Sequence, residues 1–190
     1  MIPALLSNYA HADLSFEKGE GAYLIGNDGR RYLDFYAGIA VTSLGHSHPK
    51  VVEAIKDQAE KLLHVANLYT IPEQKVLAQK LVDNTFADAV YFCNSGAEAN
   101  ECGLKMIRKY FSANGQPERF RVIGFNDSFH GRTLATIAAA GQDKLLEGFG
   151  PMVDGYDHVP AGDIEAVKAA ITPQTAGIII EPISVKAVSR

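Results

Sequence analysis

The chain has 190 residues, 47% apolar and 21% charged, with a net charge of −4 and an isoelectric point near 5.8. This is globular composition with enough apolar material for a core. Without a Lys/Arg block it argues against nucleic acid or an anionic membrane as partner. Two cysteines, Cys93 and Cys102, make no disulfide framework, so a reducing cytoplasm is expected and both read as small buried hydrophobes.

The opening stretch MIPALLSNYAHADLSFEKGEG has neither a charged start nor a sustained apolar run. No signal peptide and no membrane span are expected. Residues 22–36, AYLIGNDGRRYLDFY, place two alternating runs around Asn27-Asp28-Gly29 and predict a hairpin. The Gly-punctuated AGIAVTSLGHSHP reads as a loop. From Pro49 the period becomes 3.6, with Val51, Val52, Ile55, Ala59, Leu62 and Leu63 on one helix face. A second helix over 73–82 turns Val76, Leu77 and Leu81 inward. Buried strands are predicted over 89–93, 120–125 and 176–182, with helices over 97–111, 133–141 and 163–171. That alternation predicts an α/β fold, a mostly parallel sheet with crossover helices over 46–190, preceded by an N-terminal β-hairpin segment over 1–45.

Ligands of such sheets sit at the carboxyl ends of strands, where the unusual residues fall: Asn94–Ala97, Asp127–Arg132 and Glu181-Pro182. A helix N-terminus with small residues suits a phosphate, because backbone N–H groups point outward there and the helix dipole favours an anion. Ser95, Gly96 and Ala97 meet that need; they equally describe a Ser N-cap and a tight turn, with Glu98 as a first-turn acid. Phe129 could stack on a flat heterocycle and Arg132 could grip a carboxylate with its planar fork. The alternative is a capped loop in which Phe129 fills core and Arg132 is a surface charge. His46 and His48 lack an acidic partner nearby and argue weakly for metal, so none is expected. Glu181 reads as a site carboxylate or as a strand-end acid.

The segments GIAVTSLGHSHPKV, NLYTIPEQ, FCNSGAEANE, SFHGRTLATIAAAGQ and GIIIEPI occur in the order and spacing of the class III, fold-type I aminotransferases, which the chain resembles from about Tyr9 to Ile183. The resemblance implies pyridoxal 5′-phosphate as cofactor, with Ser95, Gly96 and Ala97 at its phosphate. It implies Phe129 on its ring, with His130 supporting that loop. Arg132 would hold the substrate α-carboxylate and Tyr69 would line the substrate entrance. NLYTIPEQ and FHGRT favour acetylornithine as amino donor, with 2-oxoglutarate as acceptor; ornithine, succinyldiaminopimelate or 4-aminobutyrate are the alternatives. A homodimer with shared active sites is implied too, through GIAVTSLGHSHP and the segment around Asn67–Pro72.

The same resemblance implies a cofactor-anchoring lysine and an aspartate at the ring nitrogen, both downstream of the Glu181-Pro182 strand. None of the eleven lysines of this chain falls in that motif, so the large domain reads as incomplete and the chain as inactive by itself. The family continues Glu-Pro-Ile with Gln-Gly-Glu-Gly-Gly-Ile, whereas this chain reads EPISVKAVSR. Removing the first base of GGT GAA GGC GGT ATC C yields Val-Lys-Ala-Val-Ser, the residues at 185–189. A single-base frameshift is therefore expected, and the nucleotide sequence past this point tests it. A sheet cut there would expose Val90, Phe92, Val122, Ile178 and Ile180 and leave the chain prone to aggregate. A dead fragment and a non-catalytic partner of a longer copy are the contrasting outcomes.

Overall fold

A computed structural model of the chain describes residues 4–6 and 8–183. The residues on which the frameshift reading rests lie outside them. The chain divides into two compact units between Val76 and Leu77.

The first unit is built on an antiparallel meander of β1 (Phe16–Glu20), β2 (Tyr23–Gly26) and β3 (Arg31–Leu33), with Leu24 opposite Tyr32. The β2–β3 hairpin is the one predicted. Gly29 supplies the positive φ of its turn, at +77°. Asp28 ties the turn down by accepting the Tyr32 hydroxyl at 2.6 Å and the Arg30 backbone N–H at 3.0 Å. Those bonds hold the Asp28 carboxyl at about 2. The sequence signal missed β1 because FEKGE carries charge where alternation would show. Beyond β3, the turn α1 (Ala37–Ala40) has positive φ throughout. Asp34 accepts the N–H groups of Tyr36 and Ala37, and its Oδ2 lies 2.8 Å from His46 Nε2.

Helix α2 (Pro49–Lys61) starts where Pro49 predicts, but its apolar stripe is not core. Val51, Ile55, Leu62 and Leu63 are exposed and, with Leu44, line an open groove of about 590 Å³. No described element of this unit packs across the stripe. In α3 (Pro72–Asp83), which runs over the division, Val76, Leu77 and Leu81 are likewise exposed rather than inward.

The second unit is α/β. Its parallel sheet has the order β5 (Tyr156–Val159), β4 (Arg121–Phe125), β6 (Thr175–Ile178). Helices α4 (Gly96–Ala113), α5 (Leu134–Ala140), α6 (Asp143–Leu146) and α7 (Ile164–Ala170) complete it. Val122, Ile123, Leu104, Val159 and the Ile137–Ala140 run form the buried core. The small residues of α5 let it lie close on β4: a Cβ on Gly124 would come 2.6 Å from the Ala139 carbonyl oxygen. Arg121 pins β4 to β5 by donating to both carboxylate oxygens of Asp157, at 2.9 and 2.7 Å.

Three expectations are corrected here. Residues 89–93 alternate in burial, with Val90 and Phe92 half-buried and Tyr91 exposed, but belong to no ladder among the described residues. Alternation marks a chain ready to pair; a strand also needs a neighbour to hydrogen-bond. Cys93 is consequently exposed and Cys102 half-buried, so neither is a core residue. The strand predicted over 176–182 is shorter, Thr175–Ile178: Ile178 pairs with Ile123, the Ile179 N–H still reaches the Ile123 carbonyl, and no ladder pair follows although β4 runs on to Phe125. The overall class, a parallel sheet with crossover helices behind an antiparallel N-terminal sheet, is the one the sequence predicts.

Candidate functional site

Helix α4 opens at Ser95, whose extended backbone (φ −155°) and hydroxyl make the N-cap: the hydroxyl oxygen accepts the Glu98 N–H at 3.2 Å. Glu98 in turn accepts the Asn94 N–H at 2.5 Å, a reciprocal arrangement that fixes the entry of the chain. Gly96 and Ala97 occupy the first two helical positions, where N–H groups have no intrahelical acceptor, and they have none among the described residues. Open space lies over Gly96: a Cβ built there meets nothing within 4 Å. An eighteen-residue helix thus presents two backbone donors and its positive end to an unobstructed spot.

The loop after β4 is docked on this helix end. Gly131, at φ +131°, packs so closely that a Cβ there would lie 2.8 Å from both Ala97 Cβ and Thr136 Oγ1. Only glycine combines that φ with that approach. Asn100, one turn into α4, donates to the His130 carbonyl at 2.7 Å, and Thr133 donates to Glu101 at 2.5 Å. From the other side Gln142 donates to the Ser128 carbonyl at 2.5 Å. Phe129 lies between these two anchored carbonyls. Its N–H donates to Glu181 Oε2 at 3.3 Å, the residue is 45% exposed, and the Arg132 guanidinium lies 5.7 Å from the ring centroid. His130 is buried, with Nε2 lacking a partner among the described residues. Burial pushes its pKa down, His158 adds to that, and Glu181 opposes it.

Ser95, Gly96, Ala97, Phe129, His130, Arg132 and Glu181 therefore gather at the carboxyl ends of β4 and β6 and the start of α4, within the second unit. Tyr69 belongs to the first unit, exposed in a turn closed by its own N–H on the Ala66 carbonyl. His46 is engaged by Asp34, and no three His, Cys, Asp or Glu side chains are grouped for a metal among the described residues. Sequence reasoning missed Asn100, Glu101, Thr133 and Gln142. Their one legible signal was position: Asn100 and Glu101 in the first turns of α4, Thr133 and Gln142 at the N-caps of α5 and α6.

A small phosphorylated heterocycle fits this arrangement: donors for an anion at Gly96 and Ala97, room above them, and an accessible aromatic face on the adjoining loop. The family profile of class-III aminotransferases matches residues 6–187. The acetylornithine aminotransferase of Brucella melitensis is 62% identical over 179 residues, and that of Agrobacterium fabrum is 60% identical. This chain aligns over 94% of its length with each and spans 44–45% of theirs. An ornithine aminotransferase from Toxoplasma gondii, whose active site is partly occupied by pyridoxal phosphate, superimposes with a TM-score of 0.89 at 30% identity, covering 95% of this chain and 43% of that one. Among the described residues no helix is long and apolar enough to cross a membrane. With residues 6–187 matched by the family profile, the chain belongs to the class-III aminotransferases.

Proposed function

We propose that the chain carries the phosphate- and carboxylate-binding part of a pyridoxal-phosphate-dependent transaminase that takes its amino group from acetylornithine and gives it to 2-oxoglutarate, in arginine biosynthesis. Identities of about 60% to acetylornithine aminotransferases, against 30% to the ornithine enzyme, support acetylornithine over ornithine as donor. The observation that carries the reading is the docking of the Phe129–Arg132 loop on the open N-terminus of α4. Gly96 and Ala97 would donate their N–H groups to the cofactor phosphate, with the Ser95 hydroxyl hydrogen as a further donor. Phe129 would pack on the pyridine ring and buried His130 would keep the loop in shape. Arg132, leaning over Phe129, would clamp the donor's α-carboxylate. Tyr69 would border the substrate entrance and Glu181 would set the loop through the Phe129 N–H. The bound group would supply an electron sink for amino transfer. A homodimer in the cytoplasm would be the working form.

Gly96→Ala tests this. Nothing in the fold opposes the added methyl, and alanine suits a helix better than glycine, so stability should hold or rise by up to about 1 kcal/mol. The same methyl intrudes where the anion would sit, so affinity for pyridoxal phosphate should fall at least about tenfold, roughly the cost of one charge-assisted hydrogen bond. Calorimetric titration beside a urea denaturation curve reads both. Unchanged affinity would reject the corner as the phosphate site.

A further inference from the structure

Phe129 is exposed on a loop, yet a stacking platform must hold its plane. A loop ring free to turn forfeits part of what stacking gives, because ordering it on binding costs conformational entropy. Here the residue before it and the residue after it are both gripped through their backbone carbonyls. Gln142, at the N-cap of α6, donates to the Ser128 carbonyl at 2.5 Å, and Asn100 of α4 donates to the His130 carbonyl at 2.7 Å. Ser128 and His130 are buried while Phe129 between them is not. The Phe129 N–H is taken by Glu181 at 3.3 Å. The peptide group before Phe129 is thus fixed on both its carbonyl and its N–H, the one after His130 on its carbonyl, each from a different element, and Phe129 between them is left exposed.

We propose that Asn100 and Gln142 are positioning residues, a pair of side-chain amides that hold the peptide group before Phe129 and the one after His130, and so set the Phe129 ring as a rigid platform for a flat, phosphorylated heterocycle. Neither amide is placed to touch the ligand; both act through Phe129. The inference rests on the cofactor reading above. It separates the two parts of the ligand. The phosphate is held by the start of α4, which the amides do not form, whereas the ring depends on the platform they hold.

The test uses the protein expressed from its own gene and two probes: inorganic phosphate, and 4′-deoxypyridoxine 5′-phosphate, which has ring and phosphate but no aldehyde to bond covalently. In Asn100→Ala and Gln142→Ala, affinity for the ring-bearing probe should drop three- to tenfold, about what an aromatic contact contributes. Affinity for inorganic phosphate should stay within about twofold. In a Phe129→Leu background the same substitutions should cost the ring-bearing probe nothing further, because the platform they position is gone. Equal losses for both probes, or full losses persisting in the Phe129→Leu background, would show a merely structural role and overturn the proposal. If the alanine variants do not fold, Asn100→Asp and Gln142→Glu keep the shape, remove the donor, and are read the same way. If the unsubstituted protein binds inorganic phosphate and the ring-bearing probe alike, the cofactor reading itself fails, an outcome distinct from loss of positioning.

Discussion

His130 sits between two demands. Its backbone carbonyl is an anchor of the loop, and its ring is buried with Nε2 unpartnered among the described residues. A buried imidazole resists charging, so its pKa lies below the ordinary value near 6.5, with burial the first cause, His158 reinforcing it and Glu181 opposing it. The unfolded chain then binds a proton that the folded chain refuses. Stability from this group is fully present above about pH 6.5 and is lost as pH falls through the lower folded value. Urea midpoints measured from pH 8 to pH 5 should therefore decline at the acid end, and His130→Gln should decline less steeply. Parallel curves would mean that His130 is charged as readily in the fold as out of it.

Between elements, the decisive contact is Gly131 on Ala97, since it brings the FHGR loop to the start of α4. Gly131→Ala meets two obstacles at once: a φ of +131° that side chains avoid, and contacts of 2.8 Å to Ala97 and Thr136. We expect a loss of about 2–4 kcal/mol of stability in urea denaturation, and loss of ring-bearing ligand affinity in any variant that still folds. A stability change below about 0.5 kcal/mol would mean that the loop can dock elsewhere. Much of this architecture was legible in the sequence. The N-cap at Ser95, the α5 stop at Gly141 and the Asn27–Gly29 turn all follow from local chemistry that does not need the rest of the fold. What was not legible depends on neighbours. Residues 89–93 read as a strand because burial pattern and ladder usually coincide, and here they separate. The four-residue β5 is marked mainly by Gly155 before it and Pro160 after it. Asn100 looks like an ordinary helix amide and Gln142 like an ordinary residue ahead of a short helix until the carbonyls they hold are in view.

At the scale of the whole molecule, the two units differ in what they bury. Among the described residues the eight buried hydrophobic ones, from Leu104 to Val159, all lie in the second unit. The first unit holds none among the described residues, and Leu63, Leu68 and Phe35 are largely exposed in it. Its one long helix wholly within the unit, α2, has thirteen residues, a length at which a helix in water is marginal without tertiary cover. The apolar stripe predicted from its 3.6-residue period is real, and no described element of the first unit covers it. Local stability should follow burial. In native-state hydrogen exchange, amides of β4 and α5 should be protected by about a thousandfold or more, and those of α2 by no more than about tenfold. An apolar dye should bind, and the apparent molar mass from light scattering should rise with protein concentration, because an uncovered face of this size seeks a partner. If α2 proves as protected as β4, dilution decides the reason. Protection that falls on dilution means that another copy covers the groove, and protection that does not would show that the first unit has a stability its burial does not explain.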